Sequence, residues 1–226
     1  MLKLKVRDEQ ISYVKNLLKT KNFGRRGDGS KKYNNGNKEE QFVGILGEVV
    51  VADLFGQPRP GNKETENDKK GDGGVDLIIH NQKIDIKTMG RNCSVKDYFV
   101  HNLYGEQVGK YYKNNIYIFT SLNKQTMELT ICGWVTKTEF FRRANFYPYG
   151  SIRKNPQKSF KVRSKKGLYE IRNNKLNAFY SKKRFCDEMN RLKNRAYRQK
   201  KRLYLIKSEN LDGKKRPKQE VESMAL

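Results

Sequence analysis

Apolar residues recur at helical spacing twice in the first quarter of the chain. Ile11, Val14, Leu17 and Leu18 mark one face of a helix over residues 6–21. Phe42, Ile45, Leu46, Val49 and Val50 form the apolar arc of a second helix over residues 38–55. Gly44 and Gly47 leave room on that helix for another backbone, and Gly56 and Pro58 end it. Between the two, residues 22–37 scatter Gly24, Gly27, Gly29 and Gly36 among Arg25, Arg26, Lys31 and Lys32, which predicts a basic loop without core residues. Residues 62–73 form a second polar loop. The period then falls to two, and strands are predicted over residues 75–80, 83–88, 115–121 and 128–135. Thr136 and Glu139 match a capping box that starts a helix through Phe140, Phe141 and Ala144. After a basic stretch over residues 150–167 and a short apolar piece over 168–171, Phe185, Met189, Leu192 and Ala196 mark a last helix. Residues 212–226 have the composition of a disordered end. Helices, then strands, then a helix predict an α/β or α+β fold, a β-sheet under helical cover, over residues 1–180. A basic helical tail over residues 181–226 follows.

Composition narrows what such a domain can do. Of 226 residues, 35% are hydrophobic, enough for a modest core. Lys and Arg number 49 against 24 acids, a net charge of +25, which predicts attraction to a polyanion. The charge is spread: the tail holds 15 basic residues against six acids, so both parts are cationic. No apolar run reaches the roughly 18 residues needed to cross a bilayer, and no secretory leader opens the chain, so a membrane role is not expected. Cys93, Cys132 and Cys186 are odd in number and far apart, as in a reducing, cytoplasmic setting. Two histidines, His80 and His101, leave little material for histidine-based chemistry.

Candidate chemistry is concentrated between Glu48 and Lys87. In residues 83–88, Ile84 and Ile86 share one face, while Asp85 and Lys87 share the other. A turn centred on Asn81 and Gln82 sets Asp76 opposite Lys87 and Ile78 opposite Asp85, which brings two carboxylates and an ammonium to one patch. Glu48 lies about 60° from Ile45 around its helix, at the edge of the buried arc, where it can add a third carboxylate. Two carboxylates with several waters form a usual Mg²⁺ site beside phosphates, and a neighbouring lysine can stabilise the charge that builds up on phosphorus. An ordinary cross-strand ion pair of Asp76 with Lys87 is the competing reading.

The ordered set Gly47-Glu48, Gly74-Val75-Asp76 and Asp85-Ile86-Lys87 resembles the PD-(D/E)xK nuclease superfamily. The resemblance spans residues 39–135 and implies a restriction-endonuclease-like core, a central mixed β-sheet flanked by helices. It also implies a Mg²⁺-dependent DNA endonuclease in which Mn²⁺ substitutes for Mg²⁺. Asp76, Asp85 and the Ile86 carbonyl would bind the metal, Glu48 would complete its shell, often through water, and Lys87 would assist the nucleophile. Val75 stands where the family usually has proline. Gln107 and Tyr111 resemble the Q-x-x-x-Y element of RecB-type members, and the Lys- and Asn-rich chain is similar in style to phage-encoded ones, which would act in the host cytoplasm. Paired cutting of two strands implies a homodimer.

Nucleic-acid contacts are expected from Arg25, Arg26, Lys31, Lys32 and Gln107, and from Arg142, Arg143 and Arg153, which are interleaved with Phe146, Tyr147 and Tyr149. The loop arginines and lysines serve equally as a solvated connector, and Phe140, Phe141 and Tyr147 equally as core. The tail helix is charged on nearly every side and is expected to dock only on a polyanion. The alternative to an enzyme is a non-catalytic, basic nucleic-acid-binding protein.

Overall fold

The computed structural model of the chain describes residues 1–20, 38–61, 74–108, 112–154 and 159–209. Its centre is a five-stranded mixed sheet of β1 (Leu2–Lys5), β2 (Leu77–Ile79), β3 (Gln82–Arg91), β5 (Ile116–Asn123) and β6 (Glu128–Thr136), in the order β1-β6-β5-β3-β2. Only the central pair, β3 with β5, runs parallel among the described strands; its neighbours are antiparallel. β5 is buried on both sides because its alternate residues serve two cores. Ile116 and Ile118 face one core, and Tyr117 and Phe119 face the other. A bulge between Phe119 and Thr120 adds one residue to β6, so that Leu129, Ile131 and Trp134 all reach the first core.

Helices α1 (Asp8–Thr20) and α2 (Lys38–Phe55) cover the first face, as the helical spacing predicts. α2 is buried on nearly all sides, with Val43, Leu46, Val49, Val50, Val51 and Ala52 in the core, and each such aliphatic side chain contributes roughly 1.5–3 kcal/mol. It ends where Gly56 turns to φ +66°; Gly56 N–H bonds Asp53 O and Gln57 N–H bonds Ala52 O, a Schellman ending. α4 (Lys182–Glu209) meets the same core through Phe185 and Met189, beside Phe179 and Trp134. The expectation that this helix docks only on a polyanion therefore does not hold for its first turns, where an apolar seam is enough to seat it.

The second face is covered by α3 (Lys137–Arg143) and by a small sheet the alternation rule did not predict, β4 (Val100–Tyr104), β10 (Leu168–Arg172) and β7 (Asn145–Tyr147). β8 (Ile152–Arg153) and β9 (Phe160–Lys161) form a further ribbon. α3 starts at the predicted capping box: Thr136 Oγ1 accepts from Glu139 N–H, and Glu139 accepts from Thr136 N–H. Among the described residues no helix is long and apolar enough to cross a membrane.

Candidate active site

The hairpin β2–β3 turns at His80 and Asn81, both at positive φ (48° and 63°), as a two-residue type I′ turn requires. Its pairs are Leu77↔Ile84, Ile78↔Lys83 and Ile79↔Gln82. The predicted turn at Asn81 and Gln82 is thus displaced by one residue, because His and Asn tolerate left-handed backbone better than Gln does. As a result Ile78 faces Lys83 rather than Asp85, and Asp76 lies opposite the Asp85 region rather than Lys87. Past the last ladder pair, Asp76 N–H donates to Ile84 O (2.9 Å), and Asp76 Oδ2 accepts the Ile86 N–H (2.6 Å). Asp76 is fastened at both ends of the Ile84–Ile86 step and so lies alongside Asp85. The Ile86 carbonyl shares that strand edge, since a strand residue turns its N–H and C=O to the same neighbour.

Asp85 is 2% exposed and holds Lys87 Nζ at 2.8 Å, with Lys87 24% exposed. Glu48 comes from α2, one residue after Gly47. A Cβ on Gly47 would overlap the Thr88 side chain, so this glycine is what allows α2 to lie directly on β3 beside the site. Gly44, read as a second such contact, instead faces open space: a Cβ there meets no atom within 4 Å.

Electrostatics tie the four side chains together. Burial pushes the Asp76 carboxyl well above the ordinary carboxylate range, and repulsion from Glu48 and Asp85 pushes it further. The Ile86 N–H and Lys87 oppose the rise without cancelling it. Burial alone would lower the Lys87 ammonium; attraction to Asp85, then to Asp76 and Glu48, outweighs it and holds Lys87 above its usual value. Three carboxylates therefore crowd one lysine.

Three neighbours went unnoticed in the sequence. Lys137, the first residue of α3, lies close enough for Asp85 to raise its affinity for the proton, although burial keeps the net shift downward. Its Nζ donates to Tyr112 O (2.8 Å), and the Tyr112 ring packs where a Cβ on Gly74 would stand. The segment leading into Asp76 is thus strapped down from above. Tyr117 sits beside Asp85 in the β3–β5 ladder, and burial lifts its hydroxyl to about 12. No local pattern in the sequence links residues 112, 117 and 137 to residue 76; only the sheet order does.

Among the described residues no three Asp, Glu, His or Cys side chains are already gathered to hold one metal ion. Mg²⁺ does not require that: it keeps several waters and takes one or two carboxylates. Asp76 and Asp85 could supply two hard oxygen ligands, the Ile86 carbonyl is on the same edge, and Glu48 lies within electrostatic reach of Asp76 and Lys87. The crowding that raises Asp76 is what a cation would relieve, so the donor set suits a hard divalent ion.

The remaining predicted contacts lie elsewhere. Arg25, Arg26, Lys31 and Lys32 fall outside the described residues, as does Tyr111 of the Gln107 motif. Gln107 accepts the Tyr104 N–H within a turn of 3₁₀ helix. Arg142 is exposed. Arg143 is engaged by Glu139, Lys175 O and Asn177. Arg153, expected to face a polyanion, is instead buried against Glu170. Its strand is two residues long, too short for alternation to show which way it points. No family model, no curated protein and no solved structure matches this chain.

Proposed function

We propose that this chain is a Mg²⁺-dependent DNA endonuclease with a PD-(D/E)xK-type site on a restriction-endonuclease-like core, Mn²⁺ serving in place of Mg²⁺. The carrying observation is that Asp76, bonded to both Ile84 and Ile86, lies beside the Asp85–Lys87 pair, with Glu48 within electrostatic reach. Asp76 and Asp85, with the Ile86 carbonyl, would hold a divalent ion, and Glu48 would complete its shell through water; bound there, the ion would polarise a phosphoryl oxygen and lower the pKa of a water. Lys87, kept protonated by its acid neighbours, donates toward the phosphate oxygens where negative charge develops. Lys137 and Tyr112 keep Asp76 in place. Two copies of the chain supply two such sites for cutting both strands, and the free Cys93, Cys132 and Cys186 fit action in a reducing cytoplasm.

A second reading is favoured by the same Lys87–Asp85 contact: the acids are structural partners of lysine in a non-catalytic nucleic-acid-binding protein. Cleavage of duplex, branched and single-stranded DNA, in Mg²⁺ or Mn²⁺, separates the two. The nuclease reading expects cutting by the wild type that Asp85→Ala and Lys87→Ala abolish. Equal cutting by all three, or none by any, rejects it.

A further inference from the structure

α4 changes character along its length. Phe185, Met189 and Leu192 form its seam against the core. Where the same face continues by the helical period, it carries Ala196, Gln199 and Leu203, and from Lys193 to Leu203 every residue is exposed. The helix therefore leaves the body after Leu192. Residues 193–209 extend it by roughly 25 Å at 1.5 Å per residue.

Charge on the departing part is sorted by type. Arg191, Arg195, Arg198 and Arg202 follow the spacing i, i+4, i+7, i+11, which puts all four on one stripe within about 60° of arc. Lys193 and Lys200 lie on the opposite side. No acid occurs between Glu188 and Glu209, so the last three arginines have no carboxylate at three or four residues' distance, and like charges at those spacings repel. Among the described residues, Arg191 alone on the stripe has an acidic partner, Glu188 at 3.2 Å on the surface. At its foot the stripe borders a groove of about 500 Å³ between α4 and residues 177–180. There Arg184 lies 4.4 Å over the exposed Tyr180 ring.

We infer that this arginine stripe is a phosphate-binding arm that lies along the backbone of double-stranded DNA. Arginine presents a planar fork that grips phosphate oxygens in pairs, which distinguishes it from the lysines behind. Duplex DNA carries one charge per ~1.7 Å of axis, a line of anions that matches a line of cations. A helix of ~10–12 Å diameter also fits the major groove, ~12 Å wide. A membrane surface would call for an unbroken apolar face opposite the charge, and here Lys193 and Lys200 interrupt that side between Ala196, Tyr197 and Leu203. The inference concerns binding alone and does not rest on cleavage.

The test measures affinity of the full chain for a mixed-sequence DNA duplex against salt, in EDTA so that no cutting intervenes. Two variants are compared: Arg191, Arg195, Arg198 and Arg202→Gln, and Lys193, Lys200 and Lys201→Gln. The slope of log affinity against log salt is expected to fall by up to ~3.6 in the arginine variant, at ~0.9 per lost phosphate contact, and by less than ~1 in the lysine variant. Unchanged melting temperature and helix content show that both still fold. Equal losses per charge removed would mean diffuse attraction and overturn the stripe; no loss in either would remove the arm from binding. Stripe-dependent binding to phosphatidylserine vesicles, without it on DNA, would also overturn the inference. Failure of the cleavage assay leaves these outcomes untouched.

Discussion

The pair Arg153–Glu170 and the cluster around Lys87 both set acids beside a base, and they differ in balance. At Arg153 and Glu170 one guanidinium meets one carboxylate, linked through both Nε and a terminal nitrogen, with neither side chain more than 9% exposed. At the end of β2 three carboxylates, Glu48, Asp76 and Asp85, surround Lys87, and Asp76 responds by holding its proton tightly. The first cluster is complete in itself; its chemistry ends with the fold. In the second, three acids share Lys87 and repel one another, a crowding that a further cation would relieve. A buried charge is thus informative less by its presence than by whether its neighbours cancel it.

The comparison predicts opposite phenotypes, and these are the largest effects. Asp85→Asn removes one acid from a crowded set: cleavage should fall about a thousandfold or more, the scale of losing a principal electrostatic group at a reacting centre. Its melting temperature in EDTA should hold or rise. Glu170→Ala leaves Arg153 buried without its partner and should cost roughly 3–5 kcal/mol of stability, while the molecules that remain folded still cut. Urea unfolding and single-turnover cleavage on both variants check this. If both lose stability and neither loses cleavage selectively, the distinction between the clusters collapses.

Metal and pH sharpen the comparison on a smaller scale. Mg²⁺ at about a hundred times its dissociation constant should stabilise the wild type by roughly 2.7 kcal/mol, and Asp76→Ala should remove that gain while Glu170→Gln leaves it. The raised pKa of Asp76 means that the folded state binds a proton the unfolded chain has released. Asp76's own contribution to stability in EDTA is therefore fully present below the unfolded aspartate pKa and is lost as pH rises toward the folded value, whereas Asp53, Glu106 and Glu139, held below the ordinary carboxylate range, contribute with the opposite sign. Mg²⁺ favours the ionised carboxylate, so it should flatten this decline and release a proton on binding. Thermal melts across pH on the wild type and Asp76→Asn, with and without the metal, isolate the Asp76 contribution; a wild type that gains stability relative to Asp76→Asn as pH rises in EDTA would contradict the crowding of Asp76.

How far the site was legible follows from how local each determinant is. The alternation of Ile84, Asp85, Ile86 and Lys87 and the capping box at Thr136 depend on neighbours within one element, and both stand as expected. The hairpin's turn does not: His80 at positive φ has no strong sequence signature, so the pairing shifted, although Asp76 still reached Asp85's side. Tyr112, ahead of β5, and Lys137, at the start of α3, are brought over Gly74 by the sheet order β6-β5-β3, and no spacing along the chain encodes that. β1 was missed because Leu2 and Leu4 give only two alternating positions. In α4 the apolar seam was visible, but the surrounding charge concealed that Phe185, Met189 and Leu192 are enough to seat the helix before it departs, with Ala196 exposed beyond them.

The smallest effects come from two glycines one turn apart on α2, and they test whether Glu48 belongs to the unbalanced cluster by design of the packing. Gly47 presses against Thr88, whose hydroxyl is also bonded by Thr120 at 2.8 Å, so the neighbour has little freedom to yield. Gly47→Ala should force α2 off β3 at a cost of about 1–3 kcal/mol, and because Glu48 follows it directly, cleavage by the folded fraction should drop too. Gly44 meets nothing, so Gly44→Ala should gain about 0.5–1 kcal/mol from reduced chain entropy, with the site's own acids undisturbed. A full-activity Gly47→Ala protein would detach Glu48 from the chemistry and leave Asp76, Asp85 and Lys87 to account for it. Lost activity in a stabilised Gly44→Ala protein would mean instead that the open space above that glycine is filled by substrate.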